Sequence, residues 1–228
     1  TVSGRLSMNN PNLQQVPARN EAIGPKIRSL FLPEEGEKWA SLDYSQQEPR
    51  LLVHYAKKHG LEGAETLIKF FHEGKDFHQV TAEMAQISRK EAKTIGLGLM
   101  YGMGIGKLAD SLDISPDQAK ALKKKYNDNV QFLNNIIVRA TRYTEQNGYI
   151  NTLLGRRCRF DLWENKDFHD KRMMNYENAK KTWQWNEMKR AGTYRALNRL
   201  IQGSAADQTK QAMVNLWKDV GVIPMIQI

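Results

Sequence analysis

Cysteine is nearly absent from this chain. Cys158 stands alone among 228 residues, so no internal disulfide and no cysteine-built metal site can form, and a reduced, cytoplasmic setting is the simpler expectation. Long apolar runs are missing too: the longest uncharged one, Ile95 to Gly106, has twelve residues, five of them glycine, against the roughly 20 needed to span a bilayer. The opening Thr1-Val2-Ser3-Gly4 has no charged-then-apolar leader pattern, and both ends read as cuts through a longer protein. Acidic residues are in deficit: 25 Asp and Glu stand against 34 Lys and Arg, giving a formal charge of +9. That surplus favours a polyanionic partner, nucleic acid before an anionic membrane surface, although a merely solvated cationic face gives the same count.

What is present is mostly helical pattern. An irregular opening of about thirty residues leads to Trp39-Ala40-Ser41-Leu42-Asp43, which alternates as a short strand, and Ser45 with Glu48 forms an S-x-x-E capping box that starts the next helix. Asp43 is thereby expected at a strand-to-helix corner. From Leu51 to Trp185 the pattern is almost wholly helical, with caps at Ser88 and at Ser115-Pro116, one apolar stripe from Ala119 to Ala140 and a stop at Gly148. A long helix over about 193–220 follows, then strand character over 223–228.

The helix opening at Arg89 carries the chemistry. Arg89, Lys93, Leu97 and Tyr101 recur every four residues on one face. Cations at a helix N-terminus oppose its dipole, so an anion bound there explains them; two solvated cations on an ordinary amphipathic helix are the alternative. A triphosphate at Arg89 and Lys93 with its base toward Leu97 and Tyr101 fits the roughly 12 Å that eight residues span. Gly96, Gly98, Gly102 and Gly104 each cost a helix interior about 1 kcal/mol, which points to an element that bends or meets a substrate closely. Asp43 offers a carboxylate to a hard cation such as Mg²⁺, or it merely precedes a helix. Glu48 is readable as the partner of Ser45 alone.

These residues resemble a known family. Leu42-Asp43-Tyr44-Ser45-Gln46-Gln47-Glu48-Pro49-Arg50 resembles the first catalytic motif of family A, or DNA polymerase I type, polymerases, and Arg89-x-x-x-Lys93 with Tyr101-Gly102 is similar to their second. Further blocks stand in the family's order: Thr1 to Pro17, including Gly4-Arg5-Leu6-Ser7 and Pro11-Asn12-Leu13-Gln14, then Gly74-Lys75-Asp76-Phe77-His78, Thr152 to Arg157, and Asn198 to Asp207. The resemblance implies an α+β right-hand architecture: an incomplete antiparallel palm sheet from 1–50 and 186–228, and a large helical fingers subdomain over 51–185. It implies Mg²⁺ held by Asp43 and the Tyr44 carbonyl, and a deoxynucleoside triphosphate held by Tyr44, Gln46, Glu48, His78, Arg89, Lys93, Leu97 and Tyr101. Lys93 becomes the candidate proton donor and Glu48 the residue that excludes a 2′ hydroxyl. Primer-template DNA would run along Arg5, Asn12, Gln14, Arg156, Asn198 and Gln202, with the thumb and remaining palm supplied by a parent chain.

Three departures stand out. Leu97 replaces the family's usual aromatic, a feature of phage-like members, so slower or less discriminating incorporation is expected. Pro49 removes an N–H in the first turn after the motif. Pro224 to Ile228 resembles the strand leading to the second metal-binding carboxylate, so little polymerase activity is expected of this polypeptide alone. The competing class is a basic helical module that binds nucleic acid without turnover; a scaffold and a nuclease fit less well.

Overall fold

The computed structural model describes residues 2–17, 20–167 and 169–224. The fold is α+β and rich in helix. After α1 (Gly24–Arg28) come α2 (Gln47–Lys58), α3 (Ala64–His72), α4 (Phe77–Ala85), α5 (Arg89–Met100), α6 (Ile105–Leu112), α7 (Pro116–Asn129) and α8 (Gln131–Asn147). A hairpin of β1 (Tyr149–Asn151) and β2 (Arg157–Arg159) follows, then β3 (Leu162–Asn165), β4 (Met173–Asn175), α9 (Tyr176–Thr182), β5 (Met188–Arg190) and α10 (Ala196–Asn215). The three later strands form an antiparallel sheet in the order β4-β3-β5.

The helix starts follow from local chemistry. Ser88 Oγ accepts the Glu91 N–H at 3.2 Å while a Glu91 carboxylate oxygen accepts the Ser88 N–H at 2.7 Å, and Ser115 with Gln118 repeats the device at α7. Gly148, at φ +76°, ends α8 in the left-handed conformation that a side chain disfavours. α10 runs between α2 and α8 because its inward face is small: Gly203, Ser204, Ala205 and Ala206 are buried, and the Tyr55 hydroxyl meets Ser204 Oγ at 2.9 Å. Around it Leu52, Phe77, Ile95, Tyr126, Leu133, Leu197 and Ile201 form the main core, each with almost no exposure.

Four expectations need correction. Trp39 to Asp43 is exposed and forms no strand, because a strand needs a hydrogen-bonded neighbour and the described residues give it none. The Ser45–Glu48 box does not form: Gln46, at φ +55°, is the N-cap, and the Glu48 carboxylate is engaged by more distant partners. The stripe from Ala119 to Ala140 belongs to two helices, since Val130 breaks out of helical geometry at φ −120°, ψ 53°. The segment to Trp185 is not wholly helical, because residues 149–165 and 173–175 hold three- and four-residue strands too short to show a period. Past Pro224, the strand expected over 223–228 lies outside the described residues, and Ile223 and Pro224 are not strand.

Candidate functional site

α5 sets the site. Arg89 and Lys93 are exposed on successive turns, Leu97 is half-buried against the core, and Tyr101 caps the helix at 37% exposure. Lys93 has no ion pair among the described residues. Arg89 has one: its Nε and Nη2 donate to the two Asp76 oxygens at 3.0 and 3.1 Å. Asp76 also caps α4, accepting the Gln79 N–H at 2.9 Å. Partial burial works against the Asp76 charge, but the hydrogen bonds from Arg89 and Gln79 outweigh it and hold its pKa below the usual carboxylate value.

His78, on the first turn of α4, completes this end. It is buried, its Nδ1 has no hydrogen-bond partner, and burial followed by the nearby Lys93 and Arg89 charges lowers its pKa despite Asp76. Because that nitrogen is buried, the exposed Arg89 and Lys93 nearby are the groups an incoming anion meets. Gln46 ties this region to the first motif, donating to the Lys75 carbonyl at 3.1 Å and accepting the Phe77 N–H at 2.7 Å.

The far end of α5 is a closed network. Glu48 accepts from Arg5 Nη2 at 2.6 Å and from the Tyr101 hydroxyl at 2.8 Å, and Gln202 also hydrogen-bonds Tyr101. Burial, then the Glu48 charge, raises the Tyr101 pKa. One cluster therefore joins Arg5, Glu48, Tyr101 and Gln202 from four separate segments. Gly96 and Gly98 have packing reasons rather than a bend: α5 runs unbroken to Met100, and a Cβ at Gly96 or Gly98 would lie 3.0 Å from the Tyr126 hydroxyl or Met103 Sδ, whereas one at Gly104 would meet open space. The chain turns only at Gly102, at φ +71°, where a Cβ would meet the Tyr194 ring at 2.7 Å.

The remaining candidates are spread along α10 and the opening segment. Asn12 caps a short 3-10 turn through the Gln14 N–H, and the Gln14 side chain reaches the Leu6 carbonyl at 3.4 Å. Asn198 and Gln202 are half-buried on α10. Arg156 points inward, donating to Asp207 at 3.0 Å, to the Ser3 carbonyl at 2.7 Å and to the Gly203 carbonyl at 3.2 Å. Gly203 makes room for it, since a Cβ there would lie 2.9 Å from Arg156 Nη2.

Asp43 and Tyr44 lie in the exposed loop before α2, and no group of three His, Cys, Asp or Glu residues is placed to hold a metal ion among the described residues. The described residues thus fit a Mg²⁺ site only in part. Sequence reasoning gave no role to Asp76, although it stands within a quoted block before a helix. It also passed over Gln47, whose amide joins α2 to the Ala205 carbonyl, Gln208 and Thr209 on α10.

A cation-bearing helix, a buried histidine beside it and a return helix that gathers the chain's distant motifs make a surface suited to an anionic ligand. The comparisons make this particular. The model for DNA polymerase family A matches residues 1–222, and the chain belongs to that family. It is 38% identical, over 92% of its length, to a DNA-directed DNA polymerase of Pseudomonas phage M6, and 33% identical, over its whole length, to the thermostable DNA polymerase I of Thermus aquaticus. It spans 35% and 26% of those two proteins. Among solved structures, the POL domain of Pol1 from M. smegmatis in complex with DNA primer-template and dNTP matches 97% of the chain and 37% of that protein, at 32% identity and a TM-score of 0.73. No helix among the described residues is long and apolar enough to cross a membrane.

Proposed function

We propose that this chain is the palm-and-fingers part of a template-directed DNA polymerase, with palm over 1–50 and 186–228 and fingers over 51–185. The observation that carries this is the α5 face, where exposed Arg89 and unpaired Lys93 stand beside buried His78, with a tyrosine at the helix's other end. The relatives' names and the DNA and dNTP in the similar structure's title support it.

In this reading the incoming triphosphate takes Arg89 from Asp76, and bidentate guanidinium donation orients its phosphate oxygens. The primer 3′ hydroxyl gives up its proton to solvent and its oxygen bonds to the α-phosphorus as the bond from that phosphorus to the pyrophosphate oxygen breaks, and Lys93 adds charge and gives a proton to the departing pyrophosphate. Tyr44, Gln46 and Leu97 complete the nucleotide pocket, with Leu97 presenting a smaller surface than an aromatic ring. Glu48, held by Arg5, bars a 2′ hydroxyl, and Tyr101 leaves it to stack at the templating position. Arg5, Asn12, Gln14, Asn198 and Gln202 track the DNA, while Arg156 holds the opening segment on α10.

Mg²⁺ would supply Lewis-acid stabilisation of the phosphates, with Asp43 and the Tyr44 carbonyl as part of a ligand set that the described residues do not complete. We expect this polypeptide by itself to extend primers weakly.

Chemical modification tests the reading. Adding matched deoxynucleotide to the polypeptide with primer-template should protect Arg89 and Lys93 from arginine- and lysine-directed reagents, with mismatched nucleotide protecting less. A nucleic-acid-binding module without turnover would show the same labelling with and without nucleotide.

A further inference from the structure

Arginine is unevenly spread along this chain. Residues 139–161 and 192–199 hold seven of the chain's fourteen arginines and none of its lysines, against two acids, Glu145 and Asp161. Among the described residues neither acid forms an ion pair, and of the seven arginines only Arg156 does, with Asp207. A surface that needed only solubility would take lysine as readily, whereas the planar guanidinium fork suits phosphate oxygens.

Four of these arginines share one surface. In the β1–β2 hairpin Ile150 and Cys158 turn inward, so the cross-strand partners Tyr149 and Arg159, and Asn151 and Arg157, face outward together. Arg157 lies over the Tyr149 ring at 4.1 Å. α10 begins beside this face: Arg199 donates to the Arg159 carbonyl at 2.6 Å and lies over the Phe160 ring at 4.0 Å, and Arg195 lies over Tyr194 at 5.0 Å. Burial lowers the Arg199 pKa, and the Arg195 charge adds to that shift against Cys158 and Asp161. Like charges gathered this way repel one another, so folding alone does not account for them. The surface also continues from the site at α5, because the Tyr194 ring lies against Gly102, next to Tyr101.

We propose that Arg157, Arg159, Arg195 and Arg199 carry the phosphates of the template strand where it runs single-stranded ahead of the templating position. This rests on the polymerase reading, in which Tyr101 stacks at that position. Beyond Tyr101 the strand is unpaired, and guanidinium groups held on rings grip successive phosphates without reading bases.

Binding of the 228-residue polypeptide to fluorescent primer-templates decides it. Lengthening the unpaired 5′ template end from about one to about ten nucleotides should tighten binding about fivefold or more at low salt, whereas the same tail on the template's 3′ end should add less than about twofold. Arg159→Gln and Arg195→Gln remove side chains that make no ion pair or hydrogen bond among the described residues. Each should abolish most of the gain and reduce its salt slope by roughly 0.7, while binding without the tail stays within about twofold. Lys120→Gln, which removes an exposed and unpaired cation of α7, should leave the gain intact. No gain in the wild type, a gain that both arginine variants keep, an equal gain from the 3′ tail, or an equal loss in Lys120→Gln overturns the proposal. Failure to bind any primer-template overturns the polymerase reading and this proposal with it.

Discussion

Two arginine–aspartate pairs in this molecule share one contact distance and have opposite settings. Arg89–Asp76 and Arg156–Asp207 both close at 3.0 Å from Nε to Oδ1. In the first, the side chains are 50% and 36% exposed; in the second, 35% and 7%. An open pair in water holds weakly and exchanges partners readily, whereas removing one side of a buried pair strands a charge. Identical distances therefore mark an arginine available to an incoming anion in one place and a structural tie in the other. The partners agree: Asp76 caps an exposed helix start, while Arg156 also gathers the Ser3 and Gly203 carbonyls.

The sharpest test of the contrast is Arg156→Ala. It leaves Asp207 buried with neither oxygen paired, since Oδ2 already lacks a partner, and it frees the opening segment from α10. A loss of about 3 kcal/mol in urea unfolding is expected. An effect close to that of an ordinary surface substitution would remove the distinction between the two pairs.

How much of this contrast the sequence could disclose depends on the range of the interactions. The start of α5 was legible because Ser88 and Glu91 are three residues apart and satisfy each other, and the Arg89-to-Tyr101 face followed from helix period alone. Ser45 and Glu48 have the same spacing, yet Glu48 is taken by Arg5 and Tyr101, 43 and 53 residues away. Nothing local signals that competition. The resemblance implies Arg156 as a DNA contact, and no local pattern signals its hold on Asp207 and the Ser3 carbonyl, which crosses 51 and 153 positions. The sheet of β3, β4 and β5 was invisible for another reason: its strands are shorter than any readable alternation. What resemblance supplied was the order of the blocks, which local chemistry could not give.

Arg89→Ala probes the open pair. Its side chain is half exposed and its pair lies open to water, so the unfolding midpoint should move little, while affinity for a deoxynucleoside triphosphate with primer-template should fall by about tenfold or more through loss of a bidentate charge-assisted contact. Calorimetry and urea unfolding on the same variant separate the two effects. A stability loss matching that of Arg156→Ala would mean that both arginines are structural ties.

The smallest effect expected is from Asp76→Asn, and its sign is the informative part. Asparagine keeps the acceptor that caps α4, so the helix start survives, but the anion that competes for Arg89 is gone. Triphosphate affinity should rise by about three- to tenfold, the scale of a partly exposed charge-assisted bond. Affinity that falls instead would mean that Asp76 orients Arg89 for the nucleotide rather than competing with it. The pH dependence follows from the lowered Asp76 pKa. A depressed carboxylate contributes its pairing fully above the ordinary value of 3.8 and loses it as pH falls through the lower folded value. Wild type and Asp76→Asn should therefore differ by a constant factor across neutral pH and converge only in acid below that range. Convergence near neutrality would assign the effect to a group other than Asp76, with buried His78 the neighbour that titrates closest to that range.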